Sequence, residues 1–284
     1  MASRVTAGRW GNPPAPAAPL VDVLIPTAGR VAELAVTLAG LAAQDDPPFR
    51  VIVSDQSLDG ATDRPAVAAM RRVLQAQGRS VEVHRHLPRR GMAEQRQFLL
   101  DRSAARTVLF LDDDVWLEPG QLQRMHEALE ELGCGFVGEA VQGLSYLDDD
   151  RPAEREPFEA WDGAVAPEAV GRDTAAFERW RLHNAANLVH VAREVPLPPR
   201  GWMPYRVAWV GGCVMFRREA LIEAGAFEFW RELGPEHAGE DVLAQWRVMR
   251  RDGGAGILPS GAVHLEAPTT IPRRPVDAFD LVAH

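Results

Sequence analysis

The apolar run Val108-Leu109-Phe110-Leu111 ends in three consecutive aspartates, Asp112, Asp113 and Asp114. Three carboxylates this close repel one another, and a bound cation relieves the repulsion. In an extended chain, residues two apart share a face, so Asp112 and Asp114 read as a pair of metal ligands. Hard cations such as Mg²⁺ or Mn²⁺ prefer oxygen ligands of this kind. The run before them is short and bounded, which is the pattern of a buried parallel strand. The carboxyl end of such a strand is where α/β proteins bind ligands. The competing reading is an acidic turn with an aspartate as N-cap, and the cluster alone does not separate the two. A second run, Asp148-Asp149-Asp150, precedes Arg151-Pro152 and reads as a solvated loop. A third acidic group, Glu240-Asp241, follows Gly239 at the start of a helical pattern, where it suits N-terminal capping and the helix dipole.

The elements that must position these groups alternate. Val21-Asp-Val-Leu-Ile25 predicts a first strand, and Val31, Leu34, Leu38 and Leu41 a first helix. Arg50 to Ser54 predicts a second strand, Pro65 to Gly78 a helix with proline at its start, and Val81 to Arg85 a third strand. Met92 to Arg102 is helical, Thr107 to Leu111 is the fourth strand, a helix runs from Pro119 to Gly133, and Gly135 to Gly138 is a short fifth strand. Strand and helix in this order imply a mainly parallel sheet flanked by helices. Residues 140–206 are proline-rich with poor periodicity, except from Thr174 to Val191, and read as an insertion that shapes a second binding surface. Regular structure returns at Val207 to Arg217, in a helix from Arg218 to Ala224, and in a helix from Glu240 to Arg251. Residues 1–19, rich in Ala, Pro and Gly, read as a loose tail.

The 284 residues suit one large α/β domain. All 31 basic residues are arginine, which excludes Schiff-base chemistry and a phosphate-loop lysine. A net charge of −9 argues against a general nucleic-acid binder. Cys134 and Cys213 sit in apolar contexts, so two buried free thiols are expected and no zinc pattern can be built. No apolar stretch is long enough to span a membrane, and the expected location is cytoplasmic.

The ordered signposts resemble the family 2 glycosyltransferases of the GT-A fold, over Val21 to His264. They are Pro26-Thr27-Ala28-Gly29-Arg30 after the first strand; Val51-Ile-Val-Ser-Asp55-Gln-Ser57-Leu-Asp59-Gly60; Gly91-Met-Ala-Glu-Gln-Arg96-Gln97; Asp112-Asp113-Asp114; Trp209-Val-Gly211-Gly212; and Gly239-Glu240-Asp241. Each alone is weak, and their order is specific. The chain departs from the family pattern at Ser54, Gln56, Gln95 and Gln97.

The resemblance implies a mixed, Rossmann-like GT-A domain and metal-dependent transfer of a sugar from a nucleoside-diphosphate sugar, UDP-sugars being favoured, to a hydroxyl acceptor of unknown kind with inversion. It implies a nucleotide-sugar-binding half at 20–139 and an acceptor half at 207–284. Asp112, Asp114 and His264 would hold Mn²⁺ or Mg²⁺. Pro26, Thr27, Arg30, Asp55, Ser57, Arg96, Asp112, Asp113, Gly211 and Gly212 would contact the donor, with Asp55 on the base. Asp241 would be the catalytic base and Glu240 would position the acceptor. Bland rivals stand beside these roles: Asp55 as a turn former, Arg96 in a helix salt bridge, His264 as a structural histidine, and Gly211-Gly212 as a bulge. Arg273 and Arg274 would close over the diphosphate or form a solvated turn. Trp161, Trp180 and Trp202 offer stacking faces, with core packing preferred for each. Three other functions compete. A haloacid-dehalogenase-type phosphohydrolase also has an Asp-x-Asp after a strand, but on the first strand and with a downstream lysine or arginine. A sugar nucleotidyltransferase needs a lysine-bearing loop that Thr27 to Arg30 does not provide. The third is a non-catalytic nucleotide-sugar binder.

Overall fold

The computed structural model describes residue 8, residues 10–270 and residues 275–282. Strands β1 (Val21–Thr27), β2 (Phe49–Asp55), β3 (Val81–Arg85) and β4 (Thr107–Leu111) alternate with helices α1 (Val31–Ala42), α2 (Pro65–Ala76) and α3 (Met92–Leu100). Then follow β5 (Val115–Leu117), α4 (Gln121–Leu132), β6 (Phe136–Gly138) and β7 (Gln142–Gly143). The insertion carries α5 (Pro152–Arg155), α6 (Asn187–Glu194) and β8 (Met203–Tyr205). The chain ends with β9 (Cys213–Arg217), α7 (Arg218–Glu223), α8 (Glu240–Asp252), β10 (Gly254–Leu258), β11 (Ala262–His264) and α9 (Ala278–Leu281).

Eight strands form one sheet in the order β3-β2-β1-β4-β9-β6-β10-β8. β1, β2, β3 and β4 are mutually parallel, whereas β9 runs antiparallel between β4 and β6. The carboxyl end of β4 therefore meets the amino end of β9, with Leu111 opposite Cys213. That register puts Asp112 beside Gly212, whose carbonyl accepts the Asp112 N–H at 2.9 Å. A second sheet, β5-β11-β7, stands at the same rim. There Val115 pairs with His264, which delivers the histidine next to Asp114.

Strand alternation divides the core into two layers. On β4, Val108 and Phe110 face one layer while Leu109 and Leu111 face the other. Helices α3, α6, α7 and α8 cover the first, and α1, α2 and α4 cover the second. Burial of β4 on both faces explains its unbroken apolar run.

Three readings change in the structure. The periodic stretch noted over Thr174 to Val191 is a 3₁₀ stretch, Ala175–His183, followed by α6, and Ala185 between them is left-handed at φ +49°. Of the regular structure expected over Val207 to Arg217, the strand begins only at Cys213, because Gly212 at φ +75° breaks the ladder. Residues 208–210 bond instead to α8: Trp246 Nε1 donates to the Ala208 carbonyl at 2.9 Å, and Gln245 takes both the N–H and the carbonyl of Val210 at 2.8 Å. Strand β10 was not foreseen, since its Gly-rich start gives no apolar alternation. Residues 10–18 are exposed without helix or strand, and Arg273 and Arg274 lie outside the described residues. Among the described residues no helix is long and apolar enough to cross a membrane.

Candidate active site

A cleft of about 340 Å³ opens at the rim. One wall carries Pro26 and Thr27 at the end of β1, Arg30 just beyond it and the Asp112–Asp114 run after β4; the opposite wall carries His237 to Asp241 at the start of α8. His264 and Ala267, Thr269 and Thr270 close one side. The local sequence dictates the α8 geometry. Gly239 is left-handed at φ +71°, and a Cβ there would lie 2.5 Å from the Phe279 ring. Only glycine suits that turn, and it aims the first helical residues, Glu240 and Asp241, into the cleft.

Arg96 on α3 joins the two walls. Its Nε donates to Glu240 Oε1 at 3.0 Å and its Nη2 donates to Asp112 Oδ1 at 3.2 Å. Burial disfavours the charged guanidinium, but Asp112, Glu240 and Asp241 together overcome that and raise its proton affinity. Asp241, the next residue, has no such partner. Its Oδ1 accepts the Val242 N–H at 2.9 Å. Burial, reinforced by the neighbouring Glu240 charge and opposed by Arg96, pushes its carboxyl up to about 7.

The middle aspartate, Asp113, is buried. Thr27 Oγ1 donates to its Oδ2 at 2.6 Å and Arg30 Nη1 to its Oδ1 at 3.0 Å. Burial outweighs these bonds and pushes it up to about 6. The same Arg30 Nη1 donates to Asp114 Oδ2 at 2.6 Å, and Nη2 donates to the Pro268 carbonyl at 2.6 Å. His264 Nε2 lies 3.4 Å from Asp114 Oδ2. Burial would raise the Asp114 carboxyl, yet His264 and Arg30 hold it below the usual carboxylate range, and the same contact raises His264.

This geometry modifies the expected metal trio. Among the described residues no three His, Cys, Asp or Glu side chains converge as a cage. Asp114 and His264 do converge, at the spacing of two ligands on one ion, and Asp114 Oδ2 already takes a cationic donor from Arg30. The donor set, carboxylate plus imidazole, suits Mn²⁺. Asp112 stands on the same wall but is turned toward Arg96.

Asp55, expected to contact the base, has both carboxylate oxygens engaged by its own turn. It is fully buried, its Oδ1 accepts the Ser57 N–H at 2.8 Å, and its Oδ2 accepts the Thr62 N–H at 3.1 Å and the Thr62 Oγ1–H at 2.8 Å. Burial raises its carboxyl, but the Ser57 and Thr62 donors overcome that and lower it. Ser57 Oγ accepts the Gly29 N–H at 2.7 Å and so shapes the Thr27–Arg30 turn from behind. Gly211 and Gly212 also stand outside the cleft lining; Gly212 lines a small internal cavity behind Arg96 and Asp241. Glu240 faces the cleft, but its carboxylate is bonded to Arg96. Trp202 is buried, Trp161 and Trp180 pack on the two core layers, and none of the three lines the cleft.

Two cleft residues escaped the sequence reading. His237 Nδ1 donates to the Gly234 carbonyl at 2.7 Å, leaving Nε2 to accept the Ala93 N–H at 3.1 Å at the start of α3. Gly91 is the visible signal for it: a Cβ there would lie 2.4 Å from the His237 ring. Gln95 Nε2 donates to the Ser54 carbonyl at 2.8 Å and to Ser54 Oγ at 3.2 Å. Two departures from the family pattern are therefore partners of one another. Gln97 is a third with a bond of its own, its Oε1 accepting the Phe227 N–H at 3.0 Å.

The profile described as Glycosyl transferase family 2 matches residues 22–225. The chain belongs to that family. Membership leaves the phosphohydrolase and nucleotidyltransferase alternatives without support. The family 2 domain has the GT-A fold. It is similar to a mannosyltransferase of Pyrobaculum calidifontis solved with GDP-Man and Mn²⁺, at 18% identity and a TM-score of 0.55, over 93% of this chain and 64% of that one. It is also similar to Staphylococcus aureus TarS 1–349 solved with UDP-GlcNAc, at 15% identity and a TM-score of 0.53, over 88% of this chain and 60% of that one. The chain thus spans less than two thirds of the length of either. No curated protein sequence matches it.

Proposed function

We propose that the protein transfers a sugar from a nucleoside-diphosphate sugar to a hydroxyl acceptor, with inversion and with help from a divalent cation. The observation that carries this is the pairing across one cleft of Asp112–Asp114 with Glu240-Asp241. Donor chemistry and proton removal need opposite walls, and this cleft has both.

Pro26, Thr27 and Gln95 form the floor for the nucleotide. The diphosphate would lie toward Asp114 and His264, which would hold the cation; that cation would neutralise the charge on the leaving diphosphate. Asp241 Oδ accepts the proton from the acceptor hydroxyl as its oxygen attacks the anomeric carbon, the bond to the phosphate oxygen breaking on the opposite face. One displacement of this kind inverts the anomeric centre. A carboxylate pushed up to about 7 is poised for this work near neutral pH. A neighbour solved with GDP-Man and another solved with UDP-GlcNAc support both nucleotides, and the Mn²⁺ of the first supports the ion. Within this reading, residues 20–139 are the donor half and 207–284 the acceptor half.

A thermal-shift panel of UDP-, GDP- and dTDP-sugars with and without Mn²⁺ tests the reading. One donor raises Tm in the presence of Mn²⁺, in line with its affinity. No shift with any nucleotide sugar counts against it.

A further inference from the structure

We infer that Arg96 is a strut rather than a phosphate ligand: it holds Glu240, and through it the catalytic Asp241, at a fixed distance from the donor-side Asp112. This rests on the transfer reading above and deepens it.

Geometry carries the argument. One of the two edges by which a guanidinium takes an oxyanion is the side-on Nε and Nη2 edge, used by Arg50 on Asp22 in this chain at 2.9 and 2.7 Å. In Arg96 that edge is divided. Nε goes to Glu240 at the start of α8, and Nη2 goes to Asp112 at the end of β4. The side chains of Arg96 and Glu240 are 6% and 7% exposed, so neither is a solvated surface partner. The guanidinium also lies 5.6 Å from the Phe110 ring centroid, which limits its swing.

The position of the contact matters as much as its partners. Helix α8 is anchored along its length by Gln245 on Val210 and by Trp246 on Ala208, one turn and more beyond Asp241. At its first turn, among the described residues, Arg96 is a cation that bonds it, through Glu240. The links close into a loop: Asp112 N–H bonds Gly212, the Gly212 segment bonds α8 through Val210, and α8 returns to Asp112 through Glu240 and Arg96. Loss of the strut opens that loop at the point where the base meets the donor. A misplacement of about 1 Å there costs on the order of 10²-fold in rate. Lysine cannot replace arginine, since one ammonium does not reach two carboxylates in a fixed plane.

The test uses Arg96→Gln, Arg96→Lys, Glu240→Gln and the double variant Arg96→Gln/Glu240→Gln in the full chain. UDP and GDP binding with Mn²⁺ is read by calorimetry, and nucleoside diphosphate release from the nucleotide sugar, with water as acceptor, gives kcat and KM. The strut predicts that Arg96→Gln keeps the nucleotide Kd within about 3-fold while kcat falls about 100-fold, with Arg96→Lys equally slow. In the Glu240→Gln background, the arginine change costs less than about 5-fold more, because both act through one contact. A nucleotide Kd weakened more than about 10-fold, or rate effects that multiply, would overturn it. Arg96→Lys keeps the test open if the glutamine variant does not fold. A wild-type protein that binds nucleotide but turns over no nucleotide sugar sinks the transfer reading and the strut with it. Loss of nucleotide binding in Arg96→Gln sinks the strut alone.

Discussion

Glu240 and Asp241 are neighbours in sequence and opposites in chemistry. Arg96 satisfies Glu240, so the cost of burying two adjacent carboxylates falls on Asp241. Burial and the adjacent Glu240 charge push its carboxyl up from the ordinary carboxylate range to about 7. The folded state therefore keeps a proton that the unfolded chain releases, and stability falls as pH rises through that window. Asp241→Asn removes the penalty. We expect Tm of Asp241→Asn to exceed that of the wild type at pH 8 and to match it at pH 4, measured by thermal denaturation. The same substitution removes the proposed base, and turnover is expected to fall by about 10²- to 10⁴-fold. In the wild type, turnover rises as pH passes through about 7, because only the ionised carboxylate accepts a proton. A flat rate profile between pH 6 and 8 would contradict this role.

At the scale of elements, the site depends on turns that only glycine can make. Gly91 at φ +101° starts α3 with the His237 ring packed against its Cα, and His237 in turn caps the helix at Ala93. Gly91→Ala meets both a strained backbone and a clash, and should cost roughly 1–3 kcal/mol by denaturant unfolding. A change within about 0.5 kcal/mol would show that the turn relaxes freely. These elements were unequally legible. β3 and β4 stand over the residues that alternation marks in the half-exposed edge strand and an unbroken apolar run marks in the buried one, because both patterns are strong local signals. The aspartates after β4 and the Gly-Glu-Asp start of α8 were legible for a related reason, since each sits at the boundary of a strongly patterned element. Asp55 carries two readings in the sequence, because a motif residue and a turn former look alike until the Ser57 and Thr62 donors are seen. His237 was invisible: its partner is 144 residues away and no local pattern marks it. β10 was missed because its glycines accommodate the Phe136 and Tyr205 rings rather than an alternating face.

For the whole molecule, the claim is that one cleft joins two chemistries across a sheet. The wall proposed for the donor comes from β1 and β4, the wall proposed for the acceptor from α8, and the antiparallel β9 brings them together by turning the chain at the rim. Removal of divalent ions with EDTA should abolish the thermal shift produced by the preferred nucleotide sugar, and Mn²⁺ should restore it. A nucleotide-induced shift that survives EDTA would contradict a cation shared between Asp114, His264 and the diphosphate. The most direct measurement of the division between the walls is calorimetric binding of UDP and GDP, with Mn²⁺, to the wild type, Asp114→Asn and Asp241→Asn. The account predicts that Asp114→Asn weakens nucleotide binding by about 10-fold or more, as loss of a charge-assisted contact would. Asp241→Asn should bind within about 3-fold of wild type while its turnover is lost. Equal nucleotide affinity in Asp114→Asn and wild type, or weakened affinity in Asp241→Asn, would contradict it.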